Sequence, residues 1–497
     1  MSAPHLPLRP RIEQRDLIVL ALITALGAGL RLYGLDAQST WHDETFSVAH
    51  SVRDIHTLFA ILIDDYVHPP LHYLVLHYWF DIVGYGAWQA RLVSAILGTL
   101  SVPLLYLLAR RFADSATALC AAFLLAVSQM AVYFSQEARP YMQTQFLTLV
   151  AALTFISFLN KPNFARAAAF TVSGIALIYT HYYSAGTLLA FGLYWILFRR
   201  LYPPQVLPRL AAIVLIMAAA FAPWVIAVGS KVKIGPKQPV YHGFRINPLP
   251  GPSAFPNAVN RFNNGKFRSI EAPTSPIQGL LCAALFTLPA IAAFWPGRRR
   301  LIQPAVLGAL MAALPVAMAI GAGMFDMVFN FRHYSFAVPG YYLLVALGWR
   351  RLFTNNGFAA GWLAAATLVC AVALHANYTA PTKPDYRAGF APMAHGYQPG
   401  DCVANRPKRF RLRTHLAWEV YYRDYPLRVV PLDQLSTMPP ECGRLWVTWD
   451  KTWWMNVRPD IESEDENLQQ QLRQRFKTVA RFQHPAVDLE LYVRRPD

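Results

Sequence analysis

Long apolar runs recur between residue 17 and about residue 377, each closed by a short polar or basic stretch. No other feature constrains the fold as much. About 20 apolar residues in a helix cross the ~30 Å hydrocarbon core of a bilayer, where each backbone amide must bond within its own segment. Composition agrees: hydrophobic residues make up 55% of the 497 and charged residues 15%, against about a quarter charged in a typical soluble domain. The pattern predicts an α-helical polytopic membrane protein. Eleven spans are expected, near 17–35, 88–109, 115–133, 140–160, 165–180, 184–198, 208–229, 277–295, 301–320, 334–349 and 357–377. Arg9, Arg11 and Arg15 precede the first run, as in a signal peptide, but no small-residue cleavage site follows, so it reads as an uncleaved helix.

Basic clusters in short loops orient such a chain, because they stay in the cytoplasm. Arg110-Arg111, Lys161 with Arg166, Arg199-Arg200 with Arg209, Arg298-Arg299-Arg300 and Arg350-Arg351 fall on one side once the N-terminus is placed inside. The outer segments are then 34–87, 134–139, 180–183, 230–276 and 321–333, followed by the tail. Residues 69–83, PPLHYLVLHYWFDIV, are short and opened by two prolines. They read as a helix lying in the outer interface; counting them as a crossing needs a second extra span and gives thirteen.

Composition changes near residue 379, which divides the chain into a transmembrane domain, 1–378, and a soluble α/β domain, 379–497, on the outer side. There DCVAN, PLRVV, RLWVTWD and DLELYVRR read as strands and ENLQQQLRQRF as an exposed amphipathic helix. Cys402 and Cys442 stand at strand edges in this region. An oxidising compartment permits a bridge between them, and the sequence leaves that pairing open. Cys120, Cys282 and Cys370 fall in spans and read as packing residues.

The net charge of +17 comes largely from the cytoplasmic clusters. The outer loop 230–276 is basic as well, with Lys231, Lys233, Lys237, Arg245, Arg261, Lys266 and Arg268 against Glu271. Basic residues on the translocated side run against the usual bias, so the loop either serves an anionic ligand such as a phosphate or is a solvated surface. Nothing resembles a nucleic-acid module.

The remaining polar residues gather on the outer face. Trp41-His42-Asp43-Glu44 follows the first run closely, the turn Tyr133 to Tyr141 holds Glu137 and Arg139, and a later turn holds Asn330, Arg332, His333 and Tyr334. Ionised groups at a membrane boundary are costly unless they face water, a partner or a substrate. The acidic pair is either the first turn of a juxtamembrane helix or part of a reaction centre, and Glu137 with Arg139 is either an ion pair at a tight turn or part of the same centre. His68 and His72 have i,i+4 spacing suited to a metal, but Pro69-Pro70 open that helix. No metal is assigned, and a divalent cofactor stays open.

Taken in order, Arg31, Leu35, Trp41, Asp43 and Glu44, then His68-Pro69-Pro70-Leu71, then Ser135 to Tyr141 (SQEARPY), resemble the motifs of GT-C glycosyltransferases. The nearest group is the bacterial relatives of protein O-mannosyltransferases and lipid A aminoarabinose transferase. Arg332, Tyr334 and Pro339 before a late span, and Asp385-Tyr386-Arg387 opening the tail, are similar too, although His333 separates the arginine from the tyrosine. The resemblance implies a transferase in the bacterial cytoplasmic membrane, with its N-terminus inside and its tail periplasmic or extracellular. Its partners would be the bilayer, a polyprenyl-phosphate-linked sugar and an acceptor hydroxyl on a glycolipid, glycan or protein. Asp43 would be the general base of an inverting attack, with Glu44 tuning or orienting it. His68, Glu137, Arg139, Tyr141, Lys231, Lys233, Arg332 and Tyr334 would bind substrate, the cations meeting the charge of the leaving phosphate. Burial and the neighbouring Glu44 are expected to raise the Asp43 pKa. A transporter or non-catalytic binder of lipid-linked glycans, or an O-antigen-ligase-like transferase using diphosphate-linked donors, is the alternative.

Overall fold

The computed structural model describes residues 12–231, 258–259, 261–263, 281, 283–295, 302–324, 331–379, 383–405, 415–431, 442–450 and 470–495. Eleven helices occupy the first described stretch: α1 (Gln14–Leu32), α2 (His42–Ser51), α3 (Ile55–Asp65), α4 (Leu71–Val83), α5 (Ala87–Ala109), α6 (Ser115–Ala126), α7 (Gln129–Ser135), α8 (Tyr141–Asn160), α9 (Phe164–Ile178), α10 (Ala185–Phe198) and α11 (Val206–Gly229). Three more long helices follow, Ile302–Met324, Val338–Leu352 and Asn356–Thr379. Helix starts follow the chemistry of their caps: Asp54, Asp114, Ser128 and Asn163 each accept a hydrogen bond from a backbone N–H of the first turn.

Among the described residues, α5, α8, α11, Ile302–Ala322 and Asn356–Thr379 are long and apolar enough to cross a bilayer. The span expected at 115–133 is built as a bent pair, long and apolar enough when its two helices are taken together. α6 and α7 meet at 52°, because Ser128 adopts an extended backbone and starts a new helix with its own side chain. Arg31, fully buried near the end of α1, bonds the carbonyls left free at the break: Nη1 to Ala126 at 2.9 Å and Nη2 to Leu125 at 3.1 Å, while Nε donates to Ser135 Oγ at 3.1 Å. α1 itself carries Arg15, Asp16 and Arg31. α9, α10 and Val338–Leu352, expected as spans, have 15, 14 and 15 residues, or roughly 22 Å at 1.5 Å per residue. The stretch 277–295 is described only in part. α4, with 13 residues, is too short to cross, as expected for 69–83.

α5 packs against α1, α6 and α8, and Ile302–Met324 packs against α10 and Val338–Leu352. In the last pair two glycines allow close contact: a Cβ on Gly308 would lie 2.9 Å from the Gly340 carbonyl, and one on Gly340 would lie 2.7 Å from that of Gly308. Just before Val338–Leu352 lies the short 3₁₀ segment Phe331–Ala337, which carries Arg332 and His333 and packs against Ile302–Met324 and α8.

Among the described residues the C-terminal part builds a five-stranded sheet: β1 (Cys402–Asn405), β2 (Arg428–Pro431), β3 (Arg444–Asp450), β4 (Phe476–Phe482) and β5 (Val487–Arg494), in the order β2-β1-β3-β5-β4. β1 runs parallel to β2 and β3, while β5 is antiparallel to β3 and β4. Leu445, Val447 and Trp449 of β3 fall in one core and Trp446 in another, so this strand is buried on both faces. Four strands lie where the sequence put them. β4 is an addition: the predicted helix 466–476 is helical over 470–475 and gives way to a strand at Phe476. Cys402 and Cys442 form a disulfide, their Cα atoms 5.6 Å apart.

This region docks on the loop between α1 and α5. Arg387 pairs with Asp36 at 2.7 Å, the Thr40 N–H donates to the Tyr421 hydroxyl, and Arg53 pairs with Glu419. The helix His415–Tyr421 packs on α2. The sheet-bearing segment and the acidic pair therefore share one face of the molecule.

Candidate active site

Trp41 is extended and caps α2, which puts Asp43 and Glu44 in the first turn of a helix. Successive helical residues point about 100° apart, so the adjacent carboxylates face different surroundings. Glu44 turns inward and is fully buried. It accepts Arg91 Nε at 2.8 Å and Nη2 at 3.0 Å, Lys383 Nζ at 2.8 Å, the Ala138 N–H at 3.0 Å and the Trp41 N–H at 3.4 Å. Burial alone would raise its pKa, but Arg91 and Lys383 outweigh it and bring the carboxyl down to about 2.

Asp43 faces the opposite way, its side chain 24% exposed, with Oδ2 accepting Arg332 Nη1 at 2.8 Å. Burial pushes this carboxyl up too, yet Arg332, Arg139 and His42 together hold it below the ordinary carboxylate range. The expected rise in the Asp43 pKa is thus reversed. Glu44 is spent on its own cations, and the arginines facing Asp43 outweigh the like charge next door.

Arg139 organises the floor. Its Nη1 donates to the Asp43 carbonyl and to Ser47 Oγ, both at 2.9 Å, and to the Tyr73 hydroxyl at 3.4 Å; Nη2 lies 3.2 Å from His68 Nε2. Its guanidinium carbon stands 6.0 Å from the Tyr141 ring centre, and that of Arg332 stands 5.1 Å from the Trp41 ring. His181 completes the group, its ring centre 5.7 Å from His68, 6.2 Å from Tyr141 and 5.9 Å from His333. Burial first, then Arg139, holds His68 far below its usual pKa, and burial with Arg139 and Arg332 brings His181 to about 3. Both imidazoles are neutral. His181 Nδ1 accepts the Tyr183 N–H at 3.3 Å, so Nε2 carries the proton. That buried N–H has no hydrogen-bond partner among the described residues.

The structure thus brings together Asp43, His68, Arg139, Tyr141 and Arg332. Glu137, 1% exposed, sits instead behind them, 3.8 Å from Lys383 Nζ. Its burial, with Glu44 adding to it against the pull of Lys383, pushes the carboxyl up to about 7. Glu137 is consequently not at the open face where substrate contact was expected, and Glu44, expected to tune or orient Asp43, lies buried beside it. Lys231 pairs with Asp64 on the surface at 3.3 Å, both side chains exposed, and Tyr334 is 2% exposed with its ring edge against Phe262. Lys233 lies outside the described residues. Where the tyrosine of the late turn was expected, His333 faces the cluster, stacked on Tyr183 at 5.2 Å.

Arg91, His181 and Lys383 escaped the sequence reading. Arg91 has a signal, being an arginine four residues into an apolar run; Lys383 has only its place beside Pro384 and Asp385.

Comparison with known proteins bears on this arrangement. Residues 67–226 match the family model described as dolichyl-phosphate-mannose-protein mannosyltransferase. In fold the chain is similar to ArnT from Cupriavidus metallidurans in the apo state, with a TM-score of 0.61 at 15% identity over 96% of this chain and 98% of that one. It is equally similar to the same ArnT bound to undecaprenyl phosphate, at 14% identity, with the same TM-score and coverage. The arabinofuranosyltransferase AftD from Mycobacteria gives 0.58 at 13% identity, over 98% of this chain and 40% of that longer one. No curated protein matches the sequence. The fold is the one the GT-C glycosyltransferases share, as the motifs implied. Within that class, the stretch from His68 through Arg139 to α11 is the part that matches the mannosyltransferase model.

Proposed function

We propose that the chain moves one sugar from a polyprenyl-phosphate donor to an acceptor hydroxyl at the outer face of the bacterial cytoplasmic membrane, with inversion and with Asp43 as general base. The observation that carries this reading is the convergence of one ionised, partly open carboxylate with Arg139, Arg332 and a buried N–H donor on His181. A solved relative of the same fold holds undecaprenyl phosphate, which favours a lipid phosphate as the anion.

In this scheme Asp43 Oδ takes the acceptor proton as the hydroxyl oxygen bonds to the anomeric carbon. The bond from that carbon to the phosphate oxygen breaks, and its electron pair leaves on the lipid phosphate. Arg139, Arg332 and His181 Nε2–H meet the added negative charge. Donor binding also prepares the base. A phosphate on Arg332 competes with Asp43 for the guanidinium, and the carboxylate gains proton affinity as that partner is shared. Glu44 and Glu137 act from behind by holding the helix and turn in place. The tail and α2 lie together on the outer side, the N-terminus inside.

The test is Asp43→Asn in proteoliposomes given a panel of polyprenyl-phosphate sugars. A variant that melts like the parent is expected to lose transfer by about a hundredfold or more, the size of a general-base contribution. Transfer at the parental rate would remove Asp43 from the mechanism.

A further inference from the structure

Two carboxylates, Glu44 and Glu137, lie buried at 0% and 1% exposure just behind the face that carries Asp43 and Arg139. Buried like charges repel strongly unless each has a cation. Arg91, from α5, takes both oxygens of Glu44. The other cation comes from far along the chain. Lys383, 6% exposed, reaches back from the segment leading to the sheet, with Nζ 2.8 Å from Glu44 Oε2, 3.2 Å from the Gln136 carbonyl and 3.8 Å from Glu137 Oε1.

We infer that Lys383 is a positioning residue for the transfer site: its ammonium bridges the helix that bears Asp43 and the turn that bears Arg139, and lets Glu44 and Glu137 be ionised side by side. This rests on the transferase reading only for its activity readout; the bridge itself is a statement about structure. The ammonium faces inward among carboxylate and carbonyl oxygens, and the same turn supplies the Ala138 N–H to Glu44 and Arg139 to the Asp43 carbonyl. Loss of the bridge therefore loosens the turn that holds Glu44 and the Asp43 backbone in place. A misplacement of about 1 Å at reacting groups costs on the order of a hundredfold in rate.

Charge makes the inference testable. Around Glu137 stand Lys383 and Arg332 as cations, Glu44 as an anion, and the hydroxyls of Tyr133 and Tyr141, with Arg91 behind Glu44. Burial and Glu44 raise Glu137; Lys383 is the main influence pulling it back. Without Lys383, Glu137 keeps its proton to higher pH, and once it ionises it repels Glu44 with no cation between them. In Lys383→Met, transfer measured against pH is expected to hold at pH 6 and to fall by about tenfold or more toward pH 8.5, a decade being worth about 1.4 kcal/mol. Adding Glu137→Gln to that variant removes the charge that needed neutralising and flattens the fall.

Hydrogen exchange of residues 36–51 and 135–141 gives a readout independent of catalysis. Protection at pH 8.5 should drop in Lys383→Met and return in the double variant. If the parent transfers no sugar at all, the transferase reading fails while exchange still decides the bridge. Parental exchange and a parental pH profile in Lys383→Met would overturn the inference, as would loss that Glu137→Gln does not relieve. If Lys383→Met cannot be recovered from membranes, recovery of the charge-balanced double supports the bridge and failure of both overturns it.

Discussion

Replacing Glu44 by Gln keeps the shape of the side chain and removes one buried negative charge. The carboxylate holds Arg91, 1% exposed, and Lys383, 6% exposed, by contacts of 2.8 to 3.0 Å. Removing one partner from a buried ion pair usually costs about 3–5 kcal/mol, because the remaining charges stay desolvated. The carboxyl itself gives a similar size. Its depression from 4.5 to about 2 corresponds to about 3 kcal/mol. Equilibrium unfolding in mixed micelles, followed by tryptophan fluorescence, measures the loss. Arg53→Ala is the control, since its pair with Glu419 is 43% and 32% exposed and should be worth less than about 1 kcal/mol. Linkage fixes the pH behaviour. A depressed carboxyl contributes stability that is present above its ordinary pKa of 4.5 and is lost as pH falls through about 2. The gap between parent and Glu44→Gln should therefore be full at pH 6 and shrink through the acid range. If Glu44→Gln unfolds no more easily than Arg53→Ala, the buried four-charge cluster is not what holds α2 in place.

Glu137 should behave in the opposite sense. Its pKa is raised from 4.5 to about 7, so it withdraws stability as pH rises between those values; the difference between parent and Glu137→Gln should move in the variant's favour by up to about 3 kcal/mol from pH 4.5 to above 7, read in the same unfolding assay. Cys402 and Cys442, bridged across a sequence separation of 40, should resist maleimide labelling in denaturant until reductant is added. Cys402→Ser should expose the Cys442 thiol and lower stability by about 2–4 kcal/mol.

The helical membrane class was legible because apolar run length is a one-dimensional property, and so were four of the five strands. What failed did so for local reasons. A hydropathy run cannot show that Ser128 would cap a new helix inside 115–133. The alternation Phe476, Thr478, Ala480, Phe482 that marks β4 is present, but the preceding glutamine-rich helix was read across it. At the site, Asp43, His68, Arg139, Tyr141 and Arg332 were singled out by residue type and sidedness together with the resemblance of their motifs to those of GT-C glycosyltransferases. The pairing of those residues was not, since a sequence lists Asp43 and Glu44 as neighbours while a helix turns them apart. Arg91 and Lys383 were missed because their partners are 47 and 339 residues away, and no local pattern records such a distance.

Arg31 gives the bend between α6 and α7 a consequence for how the protein is made. When α1 is made, that guanidinium stands near its C-terminal end and none of the Leu125, Ala126 and Ser135 acceptors is yet synthesised. Until then headgroups and water must solvate it, since an arginine is tolerated near a helix end but not in hydrocarbon. The broken carbonyls of α6 arrive later with the complementary need. Each element thus has a polar need that the other meets, so neither is satisfied until about a hundred further residues of chain have been made.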